Sequence, residues 1–112
     1  METDRELLDL AAKAVGIMLE WDGPTEYWQP MYYEGKTYKA FNPLEDDGDA
    51  FRLAVKLRIM VDPDGETYAV ANACPKGRGQ LSVCVKHNDD PYAATRRAIT
   101  RAAAEIYKSS LR

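Results

Sequence analysis

The chain has 112 residues, a length that suits one domain, and its 46% hydrophobic and 29% charged residues supply one core and a polar cover for it. A net charge of −3 argues against a protein whose main work is to coat phosphate backbones. No basic leader followed by an apolar run opens the sequence, and no stretch approaches the roughly 20 apolar residues of a membrane span, so a soluble, cytoplasmic domain is expected.

Thr3 followed three residues on by Glu6 forms a capping-box pattern, in which each side chain satisfies a backbone N–H left free at a helix start. Leu7, Leu8, Ala11, Ala12 and Val15 then recur on one helical face, and Gly16 suits the left-handed residue that ends a helix. A first helix is expected over Asp4–Val15. From Ile17 to Phe41 the helical period gives way to aromatic residues broken by Gly23-Pro24, Pro30 and Gly35. Ile17–Trp21 reads as a strand, Gly23–Pro30 as a loop, and Met31–Tyr33 with Thr37–Ala40 as a hairpin around Glu34-Gly35-Lys36.

Asn42-Pro43 marks a turn, and the acidic run Glu45, Asp46, Asp47 and Asp49 precedes Ala50, Leu53, Ala54 and Leu57 at helical spacing. Carboxylates there cap free N–H groups and favour the positive end of a helix dipole, which places a second helix over about Gly48–Lys56. Arg58–Val61 reads as a strand ended by the turn Asp62-Pro63-Asp64-Gly65. Thr67–Ala73 and Leu81–Lys86 form a further hairpin with Pro75–Gln80 as its loop, and Leu81, Val83 and Val85 share one face of its second strand. Asp90 before Pro91 starts a third helix, expected from Pro91 to about Lys108 with Ala94, Ala98, Ile99, Ala102, Ala103 and Ile106 as its apolar stripe. The order implies an α+β fold: one domain over residues 1–112, with a mostly antiparallel sheet packed against three helices that cover one side of it.

Several features invite a chemical reading. The acidic run lacks the spacing of a calcium loop and reads as a helix entry. His87, beside Asn88, Asp89 and Asp90, has no nucleophile at a recognisable spacing, and the cysteines, Cys74 and Cys84, fit neither a zinc pattern nor a nucleophile motif. Without a secretory leader these cysteines are expected reduced and partly buried. Pro75-Lys76-Gly77-Arg78-Gly79 has the glycines and cations of a phosphate-cradling loop, but neither a Walker nor a dinucleotide spacing and no following helix. No catalytic residue, metal ligand or cofactor is therefore assigned.

Two surfaces remain. Trp21, Tyr27, Trp28, Tyr32 and Tyr33 concentrate in one segment, and Trp and Tyr are the residue types that anchor protein contacts. Lys76, Arg78, Arg96, Arg97 and Arg101 supply cations for a nucleic-acid backbone, with Tyr107 nearby as a stacking ring.

Three segments also carry a resemblance: Glu6–Gly16, Phe41-Asn42-Pro43-Leu44 with Asp46-Asp47-Gly48-Asp49-Ala50, and Asp89-Asp90-Pro91-Tyr92-Ala93-Ala94-Thr95-Arg96-Arg97-Ala98-Ile99. They resemble small uncharacterised proteins of tailed bacteriophages and prophages, and their outline is similar to the NinX-like phage family. The resemblance implies a phage-encoded protein in the bacterial cytoplasm and brings no catalytic residues with it. The expectation is a non-enzymatic accessory protein that binds another protein, of the host or a second copy of itself; the alternative is nucleic-acid binding through the basic face of the last helix.

Overall fold

The computed structural model describes residues 2–22, 29–62, 68–73 and 81–111. The turn at 63–65, the loop at 75–80, Cys74, and the candidate residues Tyr27, Trp28, Lys76 and Arg78 lie outside them.

Helix α1 spans Asp4–Ala14. Thr3 accepts from the Glu6 N–H at 3.1 Å, the expected half of the capping box, while the Glu6 carboxylate accepts from the Thr3 hydroxyl at 3.1 Å and not from its backbone N–H. At the other end Gly16 takes φ 76, and the N–H groups of Ile17 and Gly16 bond the carbonyls of Ala12 and Lys13, a Schellman ending whose left-handed position favours a residue without a Cβ. The chain then runs extended into β1 (Glu20–Asp22), which starts later than the expected strand, while Ile17 and Leu19 pack against the core on the way.

Strands β2 (Gln29–Glu34) and β3 (Thr37–Ala40) form the expected hairpin, joined at Gly35-Lys36, where Gly35 supplies the positive φ that a tight two-residue hairpin turn requires. With β1 they make an antiparallel sheet in the order β1-β2-β3. Helix α2 (Asp47–Leu57) is capped by Asp46, which accepts from the Asp49 N–H at 2.8 Å. Strands β4 (Met60–Asp62), β5 (Tyr68–Ala73) and β6 (Leu81–Lys86) form a second antiparallel meander in that order. The six strands thus divide into two three-stranded sheets instead of the single expected one, because α2 intervenes between β3 and β4 and each meander closes on its own neighbours.

Val83 is buried on β6 with Leu81 and Val85 half-buried beside it, so the expected inward face holds. Cys84 alternates to the outside and is an exposed free thiol, not the partly buried one expected. After Lys86, Asn88 and Asp89 take φ 49 and 71 and the Asp90 N–H bonds the His87 carbonyl, a turn tolerated by Asn and Asp. Asp90 then caps α3 (Pro91–Ser110) by accepting from the Ala93 N–H at 3.0 Å.

Helix α3 is the centre of the molecule, packing on α1, on α2 and on strands β5 and β6. Its Ala94, Ala98, Ile99, Ala102 and Ala103 are buried together with Ala11, Ala12, Leu53, Ala54 and Val83 in one core. Thr100 is also buried, and its hydroxyl donates to the Arg96 carbonyl at 2.8 Å, so the polar atom is satisfied within its own helix.

Candidate functional site

The aromatic residues singled out in the sequence separate into different roles. Trp21 is half-buried against α1, its indole N–H donating to Asp9 at 3.0 Å and its ring lying 4.7 Å beneath the Arg5 guanidinium. Tyr32 packs on the core edge-on to Phe41, with ring centroids 6.4 Å apart. Tyr33 alternates to the outer face, where it meets its cross-strand partner Tyr38 at 4.7 Å. Of the described aromatics in that set, only Tyr33 therefore offers a mainly exposed ring.

The basic set separates likewise. Arg96 donates to the Leu44 carbonyl at 2.9 Å and to Asp47 at 2.7 Å, and Arg97 pairs with Asp4 at 2.9 Å. Both are engaged in holding α3 to other parts of the fold. Arg101 is exposed and makes no ion pair among the described residues. Trp21, Arg96 and Arg97 do come together, with Arg5, around a hollow of about 420 Å³ at the start of α3, but Asp4 and Glu45 share its lining and offset the cations in part.

The acidic run is a structural knot. Asp46 caps α2, Asp47 pairs with Arg96, and Asp49 accepts from the Asn42 N–H at 2.9 Å and from Arg52 at 2.7 Å. Among the described residues no group of three or more metal-ligating side chains converges, and no helix is long and apolar enough to cross a membrane.

A different place stands out: an open groove of about 740 Å³ between α2, β4 and the first turns of α3. Helix α2 lines it with buried Ala50 and Ala54 and exposed Phe51 and Val55, buried Ile59 and half-buried Val61 continue the lining, and α3 adds Tyr92 and Ile99. Phe51, Val55 and Tyr92 remain 68%, 61% and 71% exposed. Phe51 and Val55 stand one turn apart, adjacent to the buried stripe Ala50, Leu53 and Ala54, so α2 is apolar over more of its circumference than its packing in this chain uses. The charged lining residues lie at the two ends of α2. Asp47, at the helix start, is paired with Arg96, whereas Arg58, the C-cap, is exposed and makes no ion pair among the described residues.

None of Phe51, Val55 and Tyr92 belongs to the surfaces expected from the sequence. Their signal was present in the four-residue spacing of Phe51 and Val55 and in a large ring directly after the Asp90-Pro91 helix start. Compared with known proteins, the chain matches no family model, no curated protein and no solved structure.

Proposed function

We propose that the chain is a non-enzymatic protein-interaction module whose docking face is the groove between α2, β4 and α3. The observation that carries this reading is the cluster of Phe51, Val55 and Tyr92 at the rim of an apolar trough, all more than half exposed. Contiguous apolar surface rimmed by charge marks interaction sites, and covering a Phe or Tyr ring contributes about 1.5–3 kcal/mol each before the losses of association. The groove's lining among the described residues supports binding over catalysis: its walls are mainly aliphatic and aromatic, and the Asp47 carboxylate is held by Arg96. The resemblance of the helix entries to phage and prophage proteins supplies the setting, an accessory protein acting in the bacterial host cell.

The test is a quantitative pull-down from bacterial lysate, comparing the native chain with Phe51→Ser/Tyr92→Ser. Both side chains are exposed, so the double variant should unfold within about 1 kcal/mol of the native protein. The reading expects a nuclease-resistant partner retained by the native chain and lost from the variant. Equal capture by both would remove the groove from consideration, and capture only through nucleic acid would favour the exposed cation of α3, Arg101.

A further inference from the structure

We infer that the groove receives an amphipathic helix from another protein, with a carboxylate side chain on that helix meeting Arg58; this rests on the groove being a protein-docking face.

The shape argues for a helix. Val61 of β4 and Ile59 just ahead of the strand line the groove with their side chains while Met60 between them does not, so an occupant meets the face of β4 and not its hydrogen-bonding edge. An extended peptide laid on this apolar floor would leave backbone N–H and C=O groups without partners, at a cost of several kcal/mol, whereas a helix brings its own bonds. Helix α3 lies against β5 and β6, while β4 occupies an outer position in the same sheet. The trough beside α3 is therefore where a further helix would extend the layer. Ala50 and Ala54 leave room between Phe51, Val55 and the α3 side for an occupant at the usual 8–10 Å helix spacing. From Asp47 to Arg58 the trough follows α2 for roughly 16 Å, about three turns of an occupant, room for apolar anchors at i, i+4 and i+7.

Charge selects the sign of the occupant's flank at one end of the groove. At the start of α2 the Asp47 carboxylate and the Arg96 guanidinium satisfy each other at 2.7 Å. At its end Arg58 stands alone among the described residues, next to exposed Val55. A helix covering Val55 and Phe51 brings its own flank against that guanidinium in partly desolvated surroundings, where a carboxylate is attracted and a second cation is repelled.

The test is selection from a displayed library of helix-forming peptides of about 18 residues, roughly five turns, against the native chain, Arg58→Glu, Arg58→Gln and Phe51→Ser/Tyr92→Ser. Folding of each variant is checked by circular dichroism. The native chain should enrich apolar residues at helical spacing with Asp or Glu at one fixed flanking position. Arg58→Glu should replace that acid by Lys or Arg, and Arg58→Gln should leave the position unselected. A peptide selected on the native chain should bind Arg58→Glu at least about tenfold more weakly in fluorescence anisotropy. Peptides that need Phe51 and Tyr92 but show no helical period, or no carboxylate, would overturn this inference and leave the docking groove standing. Peptides indifferent to Phe51→Ser/Tyr92→Ser would overturn both. A dimer of the chain alone that Phe51→Ser/Tyr92→Ser dissociates would put a second copy in the groove, and would also overturn the heterologous helix.

Discussion

Arg58 ends α2 at φ 56 and ψ 45, a left-handed conformation that costs a residue with a Cβ about 1–2 kcal/mol. Glycine avoids that clash but is freer in the unfolded chain, so the two effects partly offset. Arg58→Gly is expected to raise stability by about 0.5–1 kcal/mol in urea unfolding with an unchanged slope; a loss of stability would show that the arginine side chain contributes more to the fold than its exposure indicates. The contrast with Gly16 explains what was legible at this scale. Thr3, Asp46 and Asp90 announce their helices because a cap acts across three residues of sequence, and Gly16 announces an ending because only glycine sits there without strain. An arginine in the same conformation carries no such signal. The Tyr32 and Tyr33 roles were equally hidden, since neighbouring strand residues face opposite ways and composition alone does not say which one turns inward.

Among the elements, α3 controls the packing. Ala98, Ala102 and Ala103 are fully shielded, as are Ala11 and Ala12, and α1 lies directly against α3. These small side chains set how closely the helices approach. Ala102→Leu should therefore cost about 1–3 kcal/mol by forcing added methylenes into filled space, read as a lowered midpoint in thermal or urea unfolding. An unchanged midpoint would mean that α3 shifts freely on its neighbours. The helical stripes were legible because burial repeats with the helical period. The groove was not, because Phe51 and Val55 extend the apolar face of α2 without saying whether another element covers them. Exposure is decided by which helix becomes the neighbour, a relation between distant segments.

At the scale of the molecule, two ion pairs fasten the N-terminal segment across α3: Asp4 with Arg97 at 2.9 Å, and Glu2 with Lys108, which also reaches Glu105 at 3.2 Å. The Glu2 hydrogen bond, with help from Glu105, raises the Lys108 pKa above its ordinary 10.5 despite the opposing effect of burial. A raised lysine pKa adds stability that is fully present below the unfolded value and is lost as pH rises through the folded one. The stability gap between the native chain and Lys108→Met should thus be constant near neutrality and close above about pH 10.5. Paired urea titrations measure it, and a gap that persists in strong alkali would assign the effect to the packing of the lysine stem. The α+β class was legible from the order of elements, whereas the division into two sheets depends on which strands pair across α2, and local periodicity does not encode that choice.

The clasp between α1 and α3 also has a meaning in time. Asp4 and Arg97 are 93 residues apart, and a ribosome adding about 5–20 residues per second takes roughly 5–20 s to pass from one to the other. An isolated helix of 11 residues is marginal in water, and during that interval α1 lacks the α3 surface it packs on. The nascent chain therefore carries a half-formed amphipathic segment until α3 emerges, and a chaperone that holds amphipathic stretches would find its handle there.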